Sequence, residues 1–393
     1  MLRNVAVIGV GQSNFKYYRP DSTLAELAQE ATLLAVEDGK ISLDDIEAVV
    51  VGVAPTALFG IDAVERWFVG AVGGRNKPFL RVNTGGATGG SAFQAGYFHV
   101  ASGIFDLVMV VGAEKVGESP DTQFILNQIW EPAWERDFAL NAINMCAFQA
   151  VRHMHRYKTT MEDFARVSVR CHANALLNPH AHIRKAVTLE EVLSSRVICW
   201  PITLLGACPR SSGGCAVILA SERKAKELST RPAWVTGVQE CTNTVFMGDK
   251  MDMPFNDHAD FDDLAIATKR AYDMAGIDLP IKQIDVAEIY GPFSNMEIAA
   301  VEALGFCPKG KGAQMEKEGA FQLNGELPVN PSGGVLCTNP ISITALVRVA
   351  EAALQVMQKA EARQVKNVKR AVATGMGGSL QIHTCTILSD EPR

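Results

Sequence analysis

The chain repeats itself. "VAVIGVGQSNF" (5–15) followed by "LAELAQEATLLAVEDGKISLDDIEAVVVGV" (24–53) has the same order of parts as "AWVTGVQECTN" (233–243) followed by "LAIATKRAYDMAGIDLPIKQIDVAEIYGPF" (264–293). Each copy reads as a strand, an amphipathic helix, a short polar turn and an apolar strand. The match extends to Leu24-Ala25 against Leu264-Ala265 and to Asp45-Ile46 against Ile284-Asp285. Any two βαβ units share an outline, but the shared order, helix length and turn favour an internal duplication. The chain is therefore expected to be α/β, with two like halves at about 1–225 and 226–393.

The halves stay parallel further on. In the first, "RVNTGGATGGSAFQAG" (81–96) reads as a strand end, a glycine-rich turn and a helix continuing to residue 104, before the strand "DLVMVVGAEK" (106–115). In the second, "VNPSGGVLCTNPISITALVRVAEAALQVM" precedes the strands "RAVATGMGGSL" and "QIHTCTIL". A turn of this kind is where many α/β enzymes hold a nucleophile, yet its tip offers only Thr84, Thr88 and Ser91 among glycines. The first half also carries an insert at about 116–200, rich in aromatics and charge, before "GGCAVILAS" (213–221) returns to strand. Inserts of this size cover substrates or bind partners.

Composition narrows the partners. With 37 basic against 43 acidic residues and no basic run, nucleic acid is not an expected partner. No stretch approaches the roughly 20 apolar residues of a membrane span, and the first residues lead straight into a strand, so a cytoplasmic location is expected. Nine scattered cysteines without a CxxC pair fit reduced thiols. The histidines of "RHMHR" (152–156) and "CHANALLNPHAH" (171–182) match no metal-ligand spacing, so no metal is expected.

Taken together, "DSTLAELAQEAT", "VNTGGATGGSAF", "FDLVMVVGAEK", "MEDFARVSVRCHANALLNPHA", "LEEVLSSRVICWPITLLGACPRSSGGCAVILAS" and "VNPSGGVLCTNPISITALVRVAEAALQV" resemble the thiolase superfamily, in its sterol-carrier or lipid-transfer branch. The resemblance covers nearly the whole chain. It implies the thiolase fold, a duplicated five-layer α/β/α/β/α arrangement, and a homodimer paired through strands flanking the elbow. It further implies an acyl-CoA substrate, coenzyme A as substrate or product with no tightly bound cofactor, and a small zinc-ribbon/OB-fold partner subunit. The aromatic, charged stretch "FILNQIWEPAWERDF" (124–138) is the surface expected to meet that partner.

At the catalytic positions the sequence departs from the family. Gly86 stands where the nucleophilic cysteine belongs, and glycine cannot carry an acyl group. The histidine of the GHP motif corresponds to Asn339, which can donate a hydrogen bond to an oxyanion but cannot act as a base. The second family cysteine falls near Ala373, and Tyr290 replaces the asparagine or histidine of the NEAF or HDxF motif. The resemblance leaves Tyr290, Cys337 and Asn339 as catalytic candidates, with Gly86, Gly334 and Gly377 as oxyanion or CoA contacts.

Three functions stay open. The first is thiolytic cleavage or formation of the carbon–carbon bond next to a CoA thioester, closing a β-oxidation-like breakdown of a bulky branched, aromatic or sterol acid, with Cys337 as replacement acyl acceptor. The second is retro-aldol cleavage of a 3-hydroxyacyl-CoA, as in the branch's steroid side-chain aldolases, where a tyrosine matching Tyr290 takes part. The third is a non-catalytic acyl-CoA-binding scaffold. Convergence of Tyr290, Cys337 and Asn339 on one pocket beside the glycine turn separates an enzyme from a scaffold, which has no need of it.

Overall fold

The computed structural model describes residues 2–53, 63–138, 140–251 and 257–393. Its main sheet contains β1 (Val5–Gln12), β2 (Ala48–Gly52), β3 (Phe79–Val82), β4 (Leu107–Lys115), β7 (Ser212–Ser221), β8 (Ala233–Thr242), β9 (Val286–Glu288), β10 (Arg370–Gly377) and β11 (Ile382–Ser389). Two short strands, β5 (Val197–Cys199) and β6 (Ile202–Thr203), pair separately in the insert.

The pairing order β3-β2-β4-β7-β1-β8-β11-β10-β9 makes the duplication visible. In each half the first strand pairs antiparallel with the last, the last pairs antiparallel with the one before it, and that strand runs parallel to the second. The halves join where β1 meets β8, at Ala6 opposite Trp234 and Val7 opposite Ala233. β3 has a reduced counterpart in the second half, a single parallel bridge from Val329 to Ala287 on β9. Val82-Asn83 before the first glycine turn thus matches Val329-Asn330 before the second.

Alternation along the strands builds the layers. Val5 and Val7 face a central core shared with Phe93 and Tyr97 of helix Thr88–Ala101 and with Leu346 and Val349 of helix Thr344–Val356. Ala6 and Ile8 face the opposite way, onto Leu27 and Ala31 of the outer helix Leu24–Gly39. In the second half Ala371 and Ala373 turn to the centre, while Val372 and Ile387 meet helix Asp262–Ala275. This yields five layers, helix, sheet, helix pair, sheet and helix, which is the thiolase fold. The helix over residues 91–104 expected from the sequence begins three residues earlier and ends at Ala101, because the glycine turn winds directly into it.

The central layer also holds buried charge. Arg348 pairs with Glu288 and bonds Ser332 Oγ at 2.6 Å, and Arg363 pairs with Glu351 at 2.7 Å. Breaking such a pair from one side leaves an uncompensated charge away from water. Among the described residues no helix is long and apolar enough to cross a membrane.

Candidate active site

A cavity of about 720 Å³ opens where the first glycine turn, the end of β10 and the insert meet. Each wall follows from local sequence. Gly85 takes φ +63°, and the turn Gly85–Ala87 closes when Thr88 Oγ1 donates to Gly85 O at 2.6 Å while accepting from Thr84 N–H at 2.9 Å. The end of β10 lies against this turn: a Cβ on Gly377 would overlap Thr84 O and stand 2.6 Å from Ala87 N, so only glycine permits the contact. The insert supplies an apolar wall with Leu126, Ile129, Ile143 and Met145. Among the described residues the titratable side chains on the cavity wall are Tyr290, Cys146, Cys208 and Arg210.

Tyr290 follows β9. Its backbone is fixed from both sides, by Ile289 N–H donating to Asn330 Oδ1 at 2.7 Å and by Tyr290 N–H donating to Thr374 Oγ1 at 2.9 Å. The phenol reaches the glycine turn: a Cβ built on Gly86 would lie 2.9 Å from Tyr290 Oη and 2.5 Å from Met376 O. The tyrosine hydroxyl thus occupies the space that a side chain at position 86 would need. Burial pushes the Tyr290 phenol well above its ordinary range, with nearby Cys208 adding to the rise and the Thr344 hydroxyl opposing it. The group keeps its proton at neutral pH and faces the cavity as a neutral hydroxyl.

Asn339 is held with its amide oriented. Ile341 N–H, which can only donate, faces Asn339 Oδ1 at 3.2 Å, and Thr344 Oγ1 donates to the same oxygen at 2.8 Å. The NH₂ group therefore faces Cys208 Sγ, at 3.0 Å. Burial raises the Cys208 thiol to about 11, and the Asn339 amide together with a backbone N–H holds that rise back. Cys146, without such donors, is pushed further up by burial.

The structure brings Tyr290, Asn339, Gly86 and Gly377 onto one cavity and leaves Cys337 and Gly334 off it. Cys337 ends the short helix Gly334–Cys337 and packs, with no exposed surface, among Phe164, Val167, Ala175 and Ile298. Burial there raises its thiol above the usual range. The N–H of Gly334 is spent on Ser332 Oγ at 3.2 Å, within its own turn. Ala373 lies mid-strand in the central core, and the cavity is reached instead by residues 376–382. Replacing Cys337 by alanine is expected to leave cleavage near the wild-type rate and to lower stability by about 1 kcal/mol, as read by steady-state kinetics and urea unfolding.

Cys208 and Cys146 were not singled out by sequence reasoning. Cys208 reaches the site through pairing distant in sequence, the bridge of Ala207 to Phe293 and the bond from Cys208 N–H to Pro292 O at 2.9 Å. No spacing motif announces that. Three histidines of the two clusters have ordinary partners: His153 Nδ1 with Thr159 Oγ1 at 2.8 Å, His172 Nδ1 with Lys185 O at 2.9 Å, and His182 Nδ1 with Ser211 Oγ at 2.9 Å. Among the described residues no three His, Cys, Asp or Glu side chains are grouped to hold a metal ion.

Comparison with known proteins agrees with this architecture. Residues 5–191 match the family described as thiolase, N-terminal domain, and residues 252–390 the family described as thiolase C-terminal domain-like. The chain is 33% identical to the acetyl-CoA acetyltransferase of Methanothermobacter thermautotrophicus, over 96% of this chain and 97% of that protein. It is 29% identical to rabbit (Oryctolagus cuniculus) sterol carrier protein 2, over 96% of this chain and 71% of that protein. The solved Ltp2-ChsH2(DUF35) aldolase superposes with a TM-score of 0.84 at 26% identity, covering 99% of this chain and 98% of that one. The protein belongs to the thiolase superfamily, in the branch of sterol carrier protein 2-like members, and has a thiolase-like role in carbon–carbon bond cleavage.

Proposed function

We propose that the chain cleaves the C2–C3 bond of a bulky 3-hydroxyacyl-CoA by retro-aldol chemistry. The observation that carries this reading is the Tyr290 hydroxyl lying where an elbow thiol would stand, 2.9 Å from a Cβ built on Gly86. Thiolysis needs a sulfur there to accept the acyl group. Retro-aldol cleavage needs a proton acceptor for the C3 hydroxyl, a place for the enolate and a proton donor for C2. Tyr290 suits the donor's part, and N–H groups of the glycine turn, at the start of helix Thr88–Ala101, suit the enolate oxygen. The Ltp2-ChsH2(DUF35) neighbour, an aldolase, supports the same choice. The apolar walls of the cavity suit a branched, aromatic or sterol acyl group.

The reading includes partners. That aldolase pairs its thiolase-like chain with a DUF35 protein, and we extend this to a small zinc-ribbon/OB-fold subunit here. Phe124, Trp134 and Phe138, 62%, 73% and 66% exposed, offer it a surface at the rim of the insert. The edge strand β3, with Leu80 half exposed, is the proposed seam of a homodimer.

The test is mass spectrometry of products from the chain co-purified with its small partner, with the mass of the complex measured by light scattering. A branched 3-hydroxyacyl-CoA is expected to yield a ketone or aldehyde and a shortened acyl-CoA without added coenzyme A. Turnover of only the 3-oxoacyl-CoA, and only with free coenzyme A, would establish a thiolase instead; turnover of neither would point to a scaffold.

A further inference from the structure

The cavity wall, among the described residues, holds neither carboxylate nor imidazole, although retro-aldol cleavage requires a group that takes the hydroxyl proton. A carboxylate is nonetheless connected to it. Ser91, on the first turn of helix Thr88–Ala101 and 8% exposed, donates its hydroxyl to Glu240 Oε2 on β8 of the other half. Ser91 Oγ also contacts Thr84 Oγ1 at 2.8 Å, and Thr84 stands on the cavity wall two residues before Gly86. The direction of this chain is fixed by counting protons. Ser91 has one hydroxyl proton, and it goes to the carboxylate. Thr84 must therefore donate to Ser91, which leaves the Thr84 oxygen free to accept a proton from a group in the cavity. Glu240 is half-buried, so its far side communicates with water.

We propose that Thr84, Ser91 and Glu240 form a proton wire serving as the general base of the cleavage, with Thr84 touching the substrate and Glu240 as the terminal acceptor. The proposal rests on the retro-aldol reading. The C3 hydroxyl gives its proton to Thr84 Oγ1, Thr84 passes its own to Ser91, and Ser91 passes its own to Glu240. The C3–O bond becomes a carbonyl as the C2–C3 electron pair moves into the thioester enolate. Tyr290 then protonates C2. Glu240 releases one proton to water and the Tyr290 phenolate regains one, so no other reactant is consumed.

The experiment measures kcat and KM for a branched 3-hydroxyacyl-CoA with the co-purified complex carrying Glu240→Gln, Ser91→Ala, both together, or Thr84→Val, which leaves the Ser91–Glu240 pair intact. Each single variant is expected to lower kcat by about 10²-fold or more while KM stays nearly constant. The double variant should be no slower than the slower single, because a broken wire cannot be broken twice. A Glu240→Gln enzyme as fast as wild type, or losses that multiply in the double variant, would overturn the wire while leaving the aldol reaction standing. A wild-type complex that cleaves no 3-hydroxyacyl-CoA would overturn the reaction and the wire together.

Discussion

Replacing Tyr290 by phenylalanine is expected to lower carbon–carbon cleavage by about 10²–10⁴, the usual cost of losing a positioned proton donor. The change removes one oxygen and little else. The ring keeps its packing, and the backbone keeps its bonds to Asn330 and Thr374. Thr344 Oγ1 retains Asn339 Oδ1 as acceptor, so no buried donor is orphaned and the loss of stability should be about 1 kcal/mol. Kinetics and urea unfolding on the same preparation separate the two effects. A Tyr290→Phe enzyme that is stable and fully active would place the chemistry elsewhere.

The second large effect is expected at Gly86, where restoring the family's cysteine should damage the protein instead of converting it to a thiolase. A Cβ at that position meets Met376 O at 2.5 Å and Tyr290 Oη at 2.9 Å. The first neighbour is backbone, which cannot swing aside, and the second is the proposed proton donor. Forcing atoms into such a site costs about 1–3 kcal/mol. Displacing the phenol should remove most of the cleavage activity. Combining Gly86→Cys with Tyr290→Phe relieves the second contact, so the double variant should melt above the Gly86→Cys single in a thermal denaturation series. Thiolysis appearing in Gly86→Cys at unchanged stability would refute this account of the elbow.

Much of the architecture was readable in advance, because periodicity and duplication are properties of the chain itself. Alternating Val5, Ala6, Val7 and Ile8 announce a strand buried on two faces, and the repeat of residues 24–53 at 264–293 announces a second copy of the same layer. The site was legible only where a motif carried it. Gly86, Asn339 and Tyr290 come forward because family positions hold unexpected residues. Cys337 comes forward on nearness in sequence to Asn339, but it closes the helix Gly334–Cys337 and packs among Phe164 and Ile298, whereas Asn339 turns to Cys208 on the cavity. Cys208 and Glu240 gave no signal, since each arrives from strands or loops more than 100 residues away from its partner. Such meetings are decided by tertiary pairing, which a single sequence does not display.

The two glycine turns began as equivalents, and their asparagines show how far they have parted. Asn83 lies on the cavity, while its twin Asn330 is wholly buried and clamps the backbone just before Tyr290. Around that second turn Ser332, Glu288 and Arg348 form a sealed ionic plug. One copy became the stage and the other the bracket that holds the performer. In the proposed reaction the proton donor thus stands on a segment braced by the second turn while the enolate oxygen meets the first, so that one step draws on both copies. The two halves are expected to fail apart: a chimera joining this first half to a second half without tyrosine at position 290 would have an elbow without a thiol and a brace without its phenol.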